Sequence, residues 1–169
     1  MFCTALAHGQ AAPAAAEHGG ISLQAAADNH ATRWGLNWES PTLWTTRSPD
    51  GDGRWELQAE LGGAWWLAHS GRTPAHDWQL SAIPLLRYWP GAGSRLFYEG
   101  GIGATLFDHT RFAGKDLSTA FQFGDHLGVG YQLDRHQRIS LRLSHYSNAD
   151  IKRPNPGLST LQLTYTWLP

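Results

Sequence analysis

Cysteine is all but missing from this chain of 169 residues: Cys3 stands alone, which excludes an internal disulfide and a thiolate metal site. Charge is sparse too. Charged residues make up 16%, with 13 Lys+Arg against 14 Asp+Glu for a net of −1. A basic nucleic-acid binder and an acidic disordered tail are excluded on that ground. Lysine is nearly absent, with Lys115 and Lys152 its only instances. Long apolar runs are missing as well. No stretch approaches the ~20 residues of a spanning helix, and the densest patch covers only residues 62–68. A helical membrane protein is therefore excluded.

What the chain does have is aromatic and small residues: 9 Trp, 5 Tyr, 6 Phe and 19 Gly. Glycine alone exceeds its average usage of about 7%. Such a chain can bury a sizeable core, so disorder is not expected. A mean hydropathy of −0.39 reads as water-soluble. That average loses its meaning for strands with one apolar and one polar face, because the two faces cancel. Residues 1–16 are rich in alanine and end in Ala14-Ala15-Ala16, as a secretory cleavage site would, although a basic n-region is missing. They are expected to be an Ala-rich leader or the remnant of a signal peptide. Residues 17–169 are expected to form a single barrel domain.

The dominant pattern is a period of two. Over 54–68, Trp55, Leu57, Ala59, Leu61, Trp65 and Leu67 share one face, and Glu56, Gln58 and Glu60 lie on the other. Over 119–134 the odd positions include Phe121, Phe123, Leu127, Val129, Tyr131 and Leu133, against Gln122, His126 and several glycines. Segments 20–28, 32–39, 77–89, 95–107, 138–148 and 158–168 behave alike, which makes eight strands. Turn-forming runs separate several of them, at 49–53, 90–93 and 154–157.

Eight alternating strands suit a sandwich, a lipocalin-like barrel or a membrane barrel. The two faces decide between them. The apolar face has Trp and Tyr near its strand ends. The other carries Arg33, Glu39, Glu56, Glu60, Arg87, Glu99, His126 and Arg142. A lipocalin would show the reverse. Charges of both signs with glycines suit the interior of a narrow barrel. The expected fold is all-β: an eight-stranded antiparallel transmembrane β-barrel in the outer membrane of a Gram-negative cell.

Two residues break the lipid-facing pattern. Ile139, Leu141 and Leu143 are followed on the same face by His145 and Ser147. Polar groups on such a face cost free energy and point to function. A Ser hydroxyl is a weak nucleophile, and a neutral imidazole can take its proton. The expected reaction is hydrolysis of a lipid ester. The alternative is that both residues sit in the headgroup zone, where polar side chains cost little. The next strand brings Ser159 opposite or diagonal to the pair. Asn148 points inward by parity, and a backbone turn would be needed to bring its amide to an oxyanion. It also suits a strand-terminating Asn.

His145-Tyr146-Ser147-Asn148-Ala149, followed by Ile151 and Pro154-Asn155-Pro156-Gly157, resembles the signature of the PagL family, outer-membrane lipid A 3-O-deacylases. The run 121–130 resembles that family too. The resemblance implies an active site on the outer barrel wall, removal of the ester-linked 3-hydroxyacyl chain at position 3 of lipid A, and no metal or other cofactor. It puts the nucleophile on Ser147 and the base on His145. The family's acid, usually Glu, falls on Ser159, which can orient an imidazole but supplies no charge. Asp150 is a candidate substitute, and it stands where the family commonly has a Gly whose backbone helps form the oxyanion site. Lipid A or lipopolysaccharide is the expected substrate, and a homodimer is compatible with such a barrel. The competing readings are another lipid esterase (a phospholipase or an acyloxyacyl hydrolase) and a non-catalytic structural barrel.

Other residues read as ordinary. His69, His76 and His109 fall near strand ends without metal-ligand spacing. Asp50 and Asp52 share residue types with a calcium loop but lack its length and final Glu. Arg95, Arg111 and Arg153 are placed to meet lipid phosphates or simply solvent.

Overall fold

The computed structural model describes residues 18–49 and 51–169. The leader expected at 1–16, Cys3 and Asp50 lie outside the described residues. Eleven strands follow in order: β1 (Gly20–Ala27), β2 (Ala31–Glu39), β3 (Trp44–Arg47), β4 (Arg54–Ala68), β5 (His76–Trp89), β6 (Leu96–Phe107), β7 (Arg111–Phe112), β8 (Lys115–Asp116), β9 (Phe121–Gln132), β10 (Gln137–Ser147) and β11 (Leu158–Trp167). Eight of these make the wall, in the order β2-β1-β11-β10-β9-β6-β5-β4, and β2 pairs with β4 to close it. Every ladder is antiparallel. Closure leaves no edge whose backbone groups would meet lipid unpaired. The three extra strands are short: β3 extends the sheet beside β4, and β7 and β8 form a hairpin of their own.

Alternation sets which residues face in. On β10, Arg142, Ser144 and Tyr146 are buried, while Leu141 and Leu143, one residue before Arg142 and one after it, are exposed. The charged face expected to line the lumen does so: Arg33, Glu39, Glu56, Glu60, Arg87, Glu99, His126 and Arg142 are all buried. The outer surface carries Leu, Ile and Val, with Trp38, Tyr98, Tyr131, Tyr165 and Trp167 exposed toward the end of the wall that holds the chain termini. That ring is an aromatic girdle at a membrane interface.

The interior has two halves. Nearer the termini runs a ladder of charges. Arg142 Nη1 meets Glu60 at 2.8 Å, and its Nε meets Glu99 at 2.6 Å. Arg87 joins Glu99 and Glu39, each at 2.8 Å, and Arg138 also pairs with Glu39. The other half holds an apolar cluster. Trp66, Phe107, Tyr146 and Leu158 from the wall pack with Phe112, Ala113 and Leu117. These last three belong to the connection between β6 and β9, which folds into the barrel mouth as a plug. Ser118 Oγ donates to Pro154 O at 2.7 Å, and Lys115 Nζ donates to Gly157 O at 2.8 Å. The plug is thus tied to the β10–β11 connection, and that connection borders the site.

Candidate active site

The outer wall carries one polar row in an apolar field. Antiparallel register sets Asp125 of β9 and Ser159 of β11 on either side of His145 of β10. The row next to it toward the termini is Leu127, Leu143 and Leu161. A groove of about 620 Å³ opens here, lined by those leucines, by Asp125, His145 and Ser159, and by the β1–β2 turn at Asp28 and Asn29. Its walls are mostly hydrocarbon, as a site for acyl chains requires.

His145 is held from two sides. Its Nδ1 lies 2.8 Å from Ser159 Oγ. With the proton on Nδ1 the imidazole donates to that oxygen, and Nε2 keeps the lone pair a base needs. Gly157 forms the other support. It has a φ of +60°, a conformation glycine adopts without strain. A Cβ there would stand 2.7 Å from His145 Cε1 and 3.1 Å from Nε2. Only a residue without a side chain lets the backbone pass this close to the ring.

Ser147 lies two residues beyond His145 on the same face, about 7 Å along the strand at ~3.4 Å per residue. It is half-buried and paired in register with Phe123. Among the described residues, no hydrogen bond joins Ser147 Oγ to the imidazole. The two side chains are adjacent rather than engaged.

The two supporting residues have partners of their own. Asn148 is fully buried, as its parity requires, and its amide is already committed. Nδ2 donates to Leu117 O at 3.0 Å and to Lys152 O at 2.9 Å. Its side chain therefore braces the plug instead of facing an oxyanion. The carboxylate of Asp150 makes no hydrogen bond to His145 among the described residues. It pairs with Arg153 at 2.9 Å and accepts from Asn155 Nδ2 at 3.4 Å, in an exposed turn. The backbone there is more informative: Ala149 and Asp150 both have positive φ, 52° and 60°. Asp tolerates this left-handed conformation better than most residues, so the turn keeps a shape that suits Gly.

Asp125 was missed. It occupies an odd position between Phe123 and Leu127, so the parity that set those outward also sets Asp125 outward. An acid interrupting an apolar series was the available signal. The remaining candidates are scattered. Arg111 pairs with Asp116 at 3.0 Å, at the same end as His145, whereas Arg95 is exposed at the opposite end. Away from the groove, Asp77, Asp108 and His109 bring ligand atoms within 4.8 Å of one another, a grouping the spacing did not reveal. His109 Nδ1 lies 3.1 Å from Asp77 Oδ1, and that hydrogen bond raises the His109 pKa above its usual value.

Comparison with known proteins shows the family. A family model described as lipid A 3-O-deacylase (PagL) matches residues 32–167. The lipid A deacylase PagL of Bordetella bronchiseptica is 51% identical over 149 residues, covering 88% of this chain and 83% of that protein. Its namesake from Pseudomonas aeruginosa is 32% identical over 135 residues, covering 79% and 75%. A crystal structure of the outer membrane enzyme PagL superposes with a TM-score of 0.76 at 27% identity, covering 89% of this chain and 99% of that one. Its barrel and this one share a fold, and the wall described above is a transmembrane one. With a matching family model over most of its length and relatives this similar, the chain belongs to the lipid A 3-O-deacylase (PagL) family.

Proposed function

We propose that this protein hydrolyses the ester-linked 3-hydroxyacyl chain at position 3 of lipid A, with Ser147 as nucleophile and His145 as base, from the outer membrane of a Gram-negative cell. The observation that carries this reading is His145, which lines an acyl-sized groove with its Nδ1 already occupied by Ser159 and has Ser147 two residues on along the same outward face. Nε2 of His145 takes the Ser147 proton as Oγ attacks the acyl carbonyl carbon. The tetrahedral intermediate collapses, the sugar oxygen leaves with the proton from Nε2, and the acyl chain stays on Ser147. Water, deprotonated by the same nitrogen, then releases the fatty acid. Backbone N–H groups of the turn at Ala149 and Asp150 are the donors assigned to the oxyanion. Substrate arrives by lateral diffusion, its acyl chains along Leu127, Leu143 and Leu161.

Mass spectrometry of lipid A incubated with detergent-refolded protein tests the reaction. Wild type should remove one 3-hydroxyacyl group and the Ser147→Ala variant none. An unchanged lipid A mass from a correctly folded wild type would sink the proposal, and phospholipid would be the next substrate to try. Gly157→Ala tests the support under the ring. The new methyl must displace the imidazole, and a misplacement approaching 1 Å can lower turnover on the order of 10²-fold. Initial rates beside wild type would show it, and an unaltered rate would mean that the ring position does not matter.

A further inference from the structure

His145 has two cross-strand neighbours, and only one of them touches it. Ser159 holds Nδ1. On the opposite flank Asp125 pairs with His145 in the β9–β10 register, faces outward with it, and lines the same groove. Directly paired residues on one face of an antiparallel ladder have Cβ atoms about 5 Å apart. Asp125 is half-buried, and its Oδ1 is enclosed without a hydrogen-bond partner among the described residues. An enclosed carboxylate oxygen with no partner is costly and calls for an explanation. Its surroundings offer no structural one. Its other neighbour across the strands is Ile102, which has no polar side-chain atom to offer.

Ser159 can fix the imidazole's tautomer but brings no charge. When His145 takes the proton of Ser147, the imidazolium needs a negative group beside it. We propose that Asp125 is that group: a positioning residue whose carboxylate stabilises the protonated His145, with Ser159 and Asp125 dividing between two strands the work that a single acid could do. Asp125 gains and loses no proton in the cycle. This inference rests on the Ser147–His145 reading above.

The test compares wild type, Asp125→Asn and the double variant Asp125→Asn with Ser159→Glu. Two readouts are taken on refolded barrels: kcat and KM on lipid A in micelles, and the rate at which a fluorophosphonate labels Ser147. Asp125→Asn should lower kcat and the labelling rate on the order of 10²-fold, the lower end of acid–base contributions, with KM unchanged. Adding Ser159→Glu should restore most of both rates, because a carboxylate then stands at Nδ1. A purely structural role for Asp125 would not be rescued from the opposite strand. Wild-type rates in Asp125→Asn, or a loss that Ser159→Glu does not repair, would overturn the proposal. A wild type that labels in an Asp125-dependent way yet leaves lipid A intact would overturn the substrate assignment and uphold Asp125.

Discussion

Exchange of His145 for asparagine is expected to lower turnover on lipid A by roughly 10⁴-fold or more, the scale on which serine hydrolases lose activity without their base. Asparagine keeps a polar side chain of similar size in the pocket made by Gly157 and Ser159 but has no nitrogen able to take a proton. Binding should survive, since the groove walls are mostly apolar and the acyl chains provide the contact area. The loss therefore belongs in kcat, with KM nearly unchanged. Ser159→Ala should cost much less, because it removes a hydrogen bond that orients the ring and leaves the base itself. Release of 3-hydroxy fatty acid, followed for both variants in the same micelles, separates the two roles. Equal losses would mean that Ser159 does more than orient.

The second large effect concerns stability. Glu99 stands between two arginines, 2.8 Å from Arg87 Nε and 2.6 Å from Arg142 Nε, with all three side chains buried. Glu99→Ala would leave both guanidinium groups short of an anion. Arg142 would keep Glu60 and Arg87 would keep Glu39. Breaking a buried pair from one side costs about 3–5 kcal/mol, since an uncompensated charge stays behind. The midpoint of urea unfolding in detergent should fall accordingly, and a midpoint equal to that of wild type would refute the estimate. The variant that remains folded should keep its turnover per molecule, because Glu99 faces the lumen and His145 the outside.

Much of this was legible in the residues themselves. Trp55 to Leu67 and Phe121 to Leu133 declare a period of two, and the inward charges declare a filled barrel in place of a ligand cavity. Parity alone also set His145, Ser147 and Ser159 on one face of neighbouring strands. The plug was not legible. Phe112, Ala113 and Leu117 show no periodicity, and their burial comes from contacts with Trp66 and Tyr146, both far away in sequence. The roles of Asn148 and Asp150 were hidden for a related reason. Which groups they bond depends on loop partners such as Leu117, Lys152 and Arg153, and spacing along the chain does not encode those distances. Asp125 is a different case. Its position was readable, but the series around it draws attention to its aromatic and aliphatic members.

The two halves of the interior have a consequence for the membrane that holds them. The ladder from Glu60 to Arg138 and the plug around Phe112 fill the cross-section with side chains from wall to wall. A barrel filled in this way is expected to offer ions no open route along its axis. The cylinder should behave as a post, and adding copies of it should leave the electrical resistance of the bilayer as it was.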